Sequence, residues 1–292
     1  PALFRIRCYL DDGDNKLIET ATRRIRRPHE MTNQIEFDVA DYVATITLNR
    51  PKKLNAFTDE MLDGLIAAVD ECERRDDIRV VILTGAGRGF CAGGDVSAMG
   101  SDADNRPHVT KKHIVDYIQA FPKRLATFDK PIIAAVNGVA TGGGMDLALG
   151  CDFRTASKSA KFAETYAKIG LLPGGGGAYY LPRIVGTAKA LELLLTSDFI
   201  NADEALEIGL VNHVFDDSEL LAETREIAQR IAALPPYSVT MIKRTVYQGL
   251  DVEMLSALEI VGSHIAIAKS SDDHAEAIAA FREKRAGKYS GS

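Results

Sequence analysis

The spacing of apolar residues along the chain predicts strands first and then helices. Residues 35–38 and Val43–Leu48 alternate apolar and polar positions, which predicts a hairpin of half-buried strands. Apolar residues then recur at helical spacing, so an amphipathic helix is predicted over Asp59–Arg74 with Thr58 as its N-cap.

Short apolar runs that end at glycine or another turn residue predict further strands, at 80–84, 131–136, 151–156 and 210–215. A helical pattern over 114–125 separates the first two. Alternation of strands and helices with glycine-rich breaks indicates an α/β core with parallel strands. The units at 80–94 and 132–144 resemble each other weakly, as repeated ββα turns would.

From residue 218 onward the pattern is entirely helical. Helices are predicted at 218–233, 237–248, 251–269 and 273–286, with Pro235 and Pro236 at a corner. We therefore expect a core over 31–217 and a helical region over 218–292, packed on the core or on a neighbouring subunit.

Residues 1–30 differ in composition from the rest of the chain. They include four arginines between positions 23 and 27, but also acidic residues and no apolar stretch of the length a secretory signal needs. We expect an extension or an added leader before a native start near Met31.

Composition limits the function classes. The 292 residues carry a formal net charge of −6, which gives no electrostatic support for nucleic-acid or membrane-surface binding. The four cysteines are far apart without a CxxC pair, and the histidines form no HExxH. We expect a reducing, cytoplasm-like compartment and no metal.

Three glycine-rich stretches, 85–94, 142–144 and 174–177, are the candidate chemistry. The first imitates a dinucleotide fingerprint, but Phe90 occupies the place of its third glycine and no helix pattern follows. A Walker A loop and a GxSxG elbow are both absent from the sequence.

The second stretch precedes a predicted helix start at Met145. Glycines there let a carbonyl oxygen approach free backbone N–H groups, which can stabilise an oxyanion or enolate. Asp146 falls in the first helical turn beside that oxygen. Tight packing of helix on strand, with Asp146 as a helix-start charge, explains the same residues equally well.

Four motifs occur in order: NRPKKLNA at 49–56, FCAGGD at 90–95, NGVATGGGMDL at 137–147 and GLLPGGGG at 170–177. With FREKR at 281–285, they closely resemble the enoyl-CoA hydratase/isomerase (crotonase) superfamily from about Met31 to the C-terminus. The resemblance implies a spiral of ββα turns followed by a helical trimerisation region, assembled as a homotrimer or a hexamer. It implies no cofactor, since coenzyme A is part of the acyl-CoA substrate.

The resemblance also assigns binding roles. The peptide N–H groups of Ala92 and Gly143 would bind the thioester oxygen. Coenzyme A would lie along two segments and the tail, at Lys52, Lys53, Leu54, Ala56, Gly93, Gly94, Asp95, Val96, Phe281 and Lys284. The alternative for Lys284 taken by itself, which we favour less, is a position on a solvated face of a terminal helix.

The catalytic positions depart from the family pattern. Hydratases of the family use two glutamates; Asp146 stands at the first position and Tyr166 at the second. In an extended segment Glu164 would share a face with Tyr166 and could replace the missing carboxylate. We regard an exposed charge as the better interpretation of Glu164.

We therefore expect a 2-enoyl-CoA hydratase that adds or removes water through a thioester enolate. The alternatives are an isomerase or a C–C hydrolase acting on a cyclic or β-oxo acyl-CoA, or a non-catalytic member that binds CoA or RNA.

Overall fold

The structure, a computed structural model, describes residues 31–95 and 106–291. The predictions for residues 1–30 and for Val96 lie outside the described residues. Within them, the strands are β1 (Ile35–Ala40), β2 (Val43–Leu48), β3 (Val80–Gly85), β4 (Gly89–Cys91), β5 (Ile132–Val136), β6 (Val139–Thr141), β7 (Phe153–Ser157), β8 (Lys161–Ala163), β9 (Ile200–Asn201) and β10 (His213–Phe215).

The strands form two sheets. The larger has the order β1-β2-β3-β5-β7-β10, and the smaller has the order β4-β6-β8-β9. β1 and β2 form the predicted antiparallel hairpin, and β2, β3, β5, β7 and β10 run parallel. The successive pairs β3/β4, β5/β6 and β7/β8 each place one strand in each sheet, with parallel neighbours. This repetition is the predicted spiral of ββα turns.

Helices fill the connections and the C-terminal part of the chain. They are α1 (Asp59–Arg74), α2 (Pro107–His113), α3 (Ala120–Leu125), α4 (Gly143–Leu149), α5 (Gly177–Val185), α6 (Thr187–Thr196), α7 (Ala202–Glu207), α8 (Leu220–Ala232), α9 (Pro236–Gly249), α10 (Met254–Lys269) and α11 (Asp272–Glu283). Short helical turns lie at Pro51–Lys53, Ile114–Ile118 and Thr165–Ile169. Thr58 caps α1 as predicted, since its Oγ1 accepts the Met61 N–H at 3.1 Å.

Several boundaries differ from the sequence prediction. The strand predicted over 210–215 begins only at His213, because Leu210 and Val211 are buried in a turn whose N–H groups donate to the Ala205 carbonyl. The helical stretch over 114–125 starts at Pro107 instead and is interrupted by the wider turn Ile114–Ile118. At 210–215, a run of buried apolar residues does not reveal the backbone conformation that buries it.

The larger sheet is covered on one face by α8. Leu220, Ala228 and Ala232 of this helix pack against residues of β2, β3 and β5. α8 therefore belongs to the core, although the sequence pattern groups it with the C-terminal helices.

Asp152 ties α9 to the core. Its Oδ2 accepts the Ile132 N–H at 2.7 Å and the Lys243 ammonium at 2.9 Å, and its Oδ1 accepts the Tyr247 hydroxyl at 2.9 Å. None of the helices in the described ranges is both long and apolar enough to cross a membrane.

Candidate active site

The glycine turn before α4 lies directly against the segment after β4. A Cβ on Gly144 would lie 2.0 Å from the Cys91 carbonyl oxygen, so only glycine permits this approach. A Cβ on Gly93 would lie 3.4 Å from the Gly143 nitrogen. The structure thus brings together the two segments that were assigned from sequence to the oxyanion site.

The Ala92 assignment is wrong. The Ala92 N–H donates to the Leu54 carbonyl at 2.9 Å, so this donor is already occupied. Gly94 pairs with Phe57 in a parallel bridge. The Gly93 carbonyl accepts the Phe57 N–H, and the Asp95 N–H donates to the Phe57 carbonyl. In such a bridge the N–H of Gly94 itself points away from Phe57. It has no partner among the described residues, and the same holds for the Gly143 N–H.

Asp146 lies in the first turn of α4 and is 3% exposed. Its Oδ2 accepts the Tyr166 hydroxyl at 2.5 Å and the Gly175 N–H at 2.8 Å. Its Oδ1 is buried without a hydrogen-bond partner in the described chain. Burial raises the pKa of Asp146 to about 6, although the Tyr166 hydroxyl and the backbone N–H groups of Gly175 and Gly177 favour the ionised form.

Tyr166 places its hydroxyl beside the glycine turn. A Cβ on Gly143 would lie 3.5 Å from that oxygen. Burial, reinforced by the Asp146 carboxylate, raises the pKa of Tyr166. The extended segment assumed from sequence ends with β8 at Ala163, and Tyr166 lies on the helical turn Thr165–Ile169.

The interpretation of Glu164 as an exposed charge is wrong. The residue is completely buried, and both carboxyl oxygens are without a hydrogen-bond partner in the described chain. Burial, and secondly the charge of Asp146, raise the pKa of Glu164 to about 9.

The contribution of the third glycine stretch was not predicted from sequence. Gly175 donates to Asp146, and a Cβ on Gly177 would lie 2.3 Å from Asp146 Oδ1 and 2.7 Å from Glu164 Oε1. Four consecutive glycines are the signal that a backbone comes this close to other groups.

Comparison with known proteins identifies the family. Residues 38–292 match the sequence profile of the family described as Enoyl-CoA hydratase/isomerase. The chain belongs to this family. It is 38% identical to the short-chain-enoyl-CoA hydratase of Clostridium acetobutylicum, over 87% of this chain and 96% of that protein. It is 37% identical to the 1,2-epoxyphenylacetyl-CoA isomerase of Escherichia coli, over 85% of this chain and 95% of that protein.

Solved structures agree with this assignment. An enoyl-CoA hydratase from Bacillus anthracis superposes with a TM-score of 0.85 at 34% identity, covering 89% of this chain and all of that one. The resemblance to the crotonase superfamily and the predicted fold class are both confirmed. The protein is an acyl-CoA-processing enzyme.

In this enoyl-CoA hydratase/isomerase family member, the two segments predicted to bind coenzyme A lie side by side. The Phe57 N–H donates to Gly93 at 2.8 Å, and Arg50 forms an ion pair with Asp95 at 2.8 Å. Lys52 and Lys53 are exposed on the turn Pro51–Lys53 that leads into the first segment.

Leu54 and Ala56 form the inner part of that first segment. The Leu54 carbonyl accepts the Ala92 N–H, and the Ala56 carbonyl accepts the Arg50 guanidinium. Phe281 and Lys284 lie at the C-terminal end of α11, where Phe281 is 84% exposed. Their contact with coenzyme A stays a prediction.

Proposed function

We propose that this enzyme is a 2-enoyl-CoA hydratase, which adds water across the α,β double bond of an acyl-CoA thioester. The observation that carries the proposal is the Asp146 carboxylate, hydrogen-bonded to Tyr166 beside the glycine turn. The names of the hydratase relatives support the same reaction.

The backbone stabilises the charge that develops in the reaction. The N–H groups of Gly94 and Gly143 would donate to the thioester oxygen. Addition of the water oxygen at Cβ moves the π electrons through Cα onto that oxygen as an enolate. Donors fixed in the backbone do not have to reorganise as this charge appears, which is why such a site lowers the barrier.

Asp146 and Tyr166 would move the protons. Asp146 takes one proton from water as the C–O bond forms at Cβ. The enolate carbon then takes the Tyr166 proton, and Tyr166 regains one from Asp146 across their hydrogen bond. The net change is one water added, with both side chains returned to their starting state.

The test is the loss of conjugated enoyl-thioester absorbance with crotonyl-CoA and a longer 2-enoyl-CoA. We expect turnover by the wild type and a decrease in kcat of about 10²–10⁴-fold in Asp146→Asn, which keeps the shape and removes the base. Circular dichroism of the variant controls for folding. Absence of wild-type turnover on either substrate would contradict the proposal.

A specialised isomerisation is the second candidate, because one of the similar proteins is named an isomerase of an acyl-CoA. A single base beside an enolate site can remove a proton from one carbon and return it to another without adding water. Chromatography and mass spectrometry of the products separate the two reactions, since hydration adds the mass of one water and isomerisation adds none. A C–C hydrolase acting on a cyclic or β-oxo acyl-CoA would also add water, but it would break a carbon–carbon bond.

We further propose that the chain assembles as a homotrimer or a hexamer through its C-terminal helices. Met254, Leu255 and Leu258 of α10 are 71%, 75% and 58% exposed. Apolar surface of this kind on neighbouring positions of one helix is typical of an interface with another protein surface.

A further inference from the structure

Three carboxyl oxygens in the site are buried without a hydrogen-bond partner in the described residues. They are Oδ1 of Asp146 and both oxygens of Glu164. Oδ1 of Asp146 belongs to α4, and Oε1 of Glu164 belongs to the connection after β8. Both oxygens lie within 2.7 Å of the position that a Cβ on Gly177 would take. Both carboxyl groups therefore border the space that a side chain on the first residue of α5 would fill.

Two carboxylates that border one buried space do not both ionise. Their repulsion and the loss of solvation favour a state in which the pair holds one proton. The Tyr166 hydroxyl and the backbone N–H groups of Gly175 and Gly177 stabilise Asp146 as the anion. Glu164 has no such donor among the described residues, so the proton belongs on Glu164.

We propose that Glu164 is a neutral carboxylic acid at neutral pH, and that its O–H donates a hydrogen bond to Asp146 Oδ1. This gives Asp146 a donor on each oxygen and fixes the plane of its carboxylate towards Tyr166. Glu164 is therefore a positioning residue that acts through Asp146. Only the catalytic consequence of this role depends on the proposed hydratase reaction.

The surroundings leave few other groups to control the proton. Asp146 on α4 and Tyr166 on the helical turn Thr165–Ile169 act on Glu164 or are acted on by its charge. Tyr180 on α5 lies near Asp146. Burial raises the pKa of both tyrosines, so they stay neutral over the range in which Glu164 loses its proton. Above that range, an ionised Glu164 would repel Asp146 and release its carboxylate.

Infrared difference spectroscopy tests the location of the proton without any substrate. We expect the C=O band of a buried, protonated carboxylic acid in the wild type at neutral pH, and its loss as the pH is raised through about 9. The band should be absent from Glu164→Gln and present in Asp146→Asn. A band that persists in Glu164→Gln and disappears in Asp146→Asn would place the proton on Asp146 and overturn the proposal.

The pH profile of turnover tests the positioning role. The amide introduced by Glu164→Gln would still donate an N–H to Asp146, so this variant should keep kcat within about threefold at neutral pH. It should lose the alkaline decline of kcat that we expect for the wild type. An identical alkaline decline in both proteins would refute the role of Glu164. A wild type with the infrared band but no hydratase turnover would contradict the proposed reaction alone.

Discussion

The chemistry of the site is concentrated on one carboxylate whose two oxygens have different neighbours. Oδ2 of Asp146 accepts two hydrogen bonds, whereas Oδ1 lies against Gly177, beside the space that Glu164 also borders. Burial alone would keep this group protonated, and donated hydrogen bonds oppose that tendency. The result is a base whose pKa, about 6, lies close to physiological pH. A carboxylate with such a pKa can both take up and release a proton at that pH.

Removal of the Tyr166 hydroxyl should shift the acidic limb of the pH profile of kcat/KM. A hydrogen bond to a carboxylate favours its ionised form, so Tyr166→Phe raises the pKa of Asp146 above about 6. Because activity needs ionised Asp146, the acidic limb of kcat/KM should move to higher pH. We also expect kcat to decrease about 10²-fold, since the proton donor to Cα is lost.

The measurement is kcat/KM for crotonyl-CoA against pH, with Tyr179→Phe as a control because Tyr179 is exposed and lies on α5. An acidic limb that stays in place in Tyr166→Phe would show that the hydroxyl does not act on Asp146.

Burial of Glu164 should make stability depend on pH. Its pKa is raised from 4.5 to about 9 by folding, so between these values the folded protein binds more protons than the unfolded chain. The free energy of unfolding therefore falls as pH rises through this window, with a limiting slope of about 1.4 kcal/mol per pH unit. Urea unfolding at several pH values should show a flatter dependence for Glu164→Gln. Parallel curves for the two proteins would contradict this.

At the level of the elements, the site depends on how α4 meets β4. The first turn of α4 rests on the backbone of Cys91, and the same helix carries Gly143 and Asp146. A displacement of this helix would therefore move a backbone donor and the base together.

Gly144→Ala should separate α4 from β4. The new Cβ would lie 2.0 Å from a carbonyl oxygen, which has to move, and we expect a loss of about 1–3 kcal/mol of stability together with a large loss of turnover. Gly150→Ala is the matched control. Its Cβ would come closest to the end of the Leu125 side chain, at 3.3 Å, and the two backbone oxygens near it lie at ordinary contact distances, so stability should change by less than about 1 kcal/mol.

Thermal unfolding and crotonyl-CoA turnover of the two variants give the comparison. Equal behaviour of Gly144→Ala and Gly150→Ala would show that the close approach is not needed for the site.

On the scale of the whole molecule, the C-terminal helices divide into two kinds. α8 packs on the larger sheet and α9 is tied to it at Asp152, whereas no residue of α10 is buried within the single chain. An apolar helix left uncovered in this way gains stability when another surface covers it.

A charge on this uncovered helix should weaken the assembly. We expect Leu255→Asp to lower the mass measured by size-exclusion chromatography with light scattering, because the carboxylate would have to be buried at the interface. Leu206→Asp, at a 43% exposed position on α7, is the control and should leave the mass unchanged. A wild type that is monomeric at all concentrations would contradict the proposed assembly.

Much of this protein could be predicted from sequence because the relevant signals are local. The hairpin, α1 with its Thr58 cap and the repeated strand units follow from periodicity and capping chemistry, which depend on neighbours in the chain. The glycine motifs identified the family, and Asp146 stood out as the carboxylate beside a glycine turn.

The partners of each group were decided only by the tertiary structure. The Ala92 N–H is occupied by Leu54, and the Gly94 N–H is left free among the described residues, because a segment from elsewhere in the chain pairs with this one. Glu164 is buried with the first residue of α5 against its carboxyl group, and Tyr166 reaches Asp146 from a helical turn rather than a strand. Sequence by itself determined which residue types are present and which local conformations they favour. Hydrogen-bond partners, burial and proton affinity depend on residues distant in the chain, so they were decided when the elements packed together.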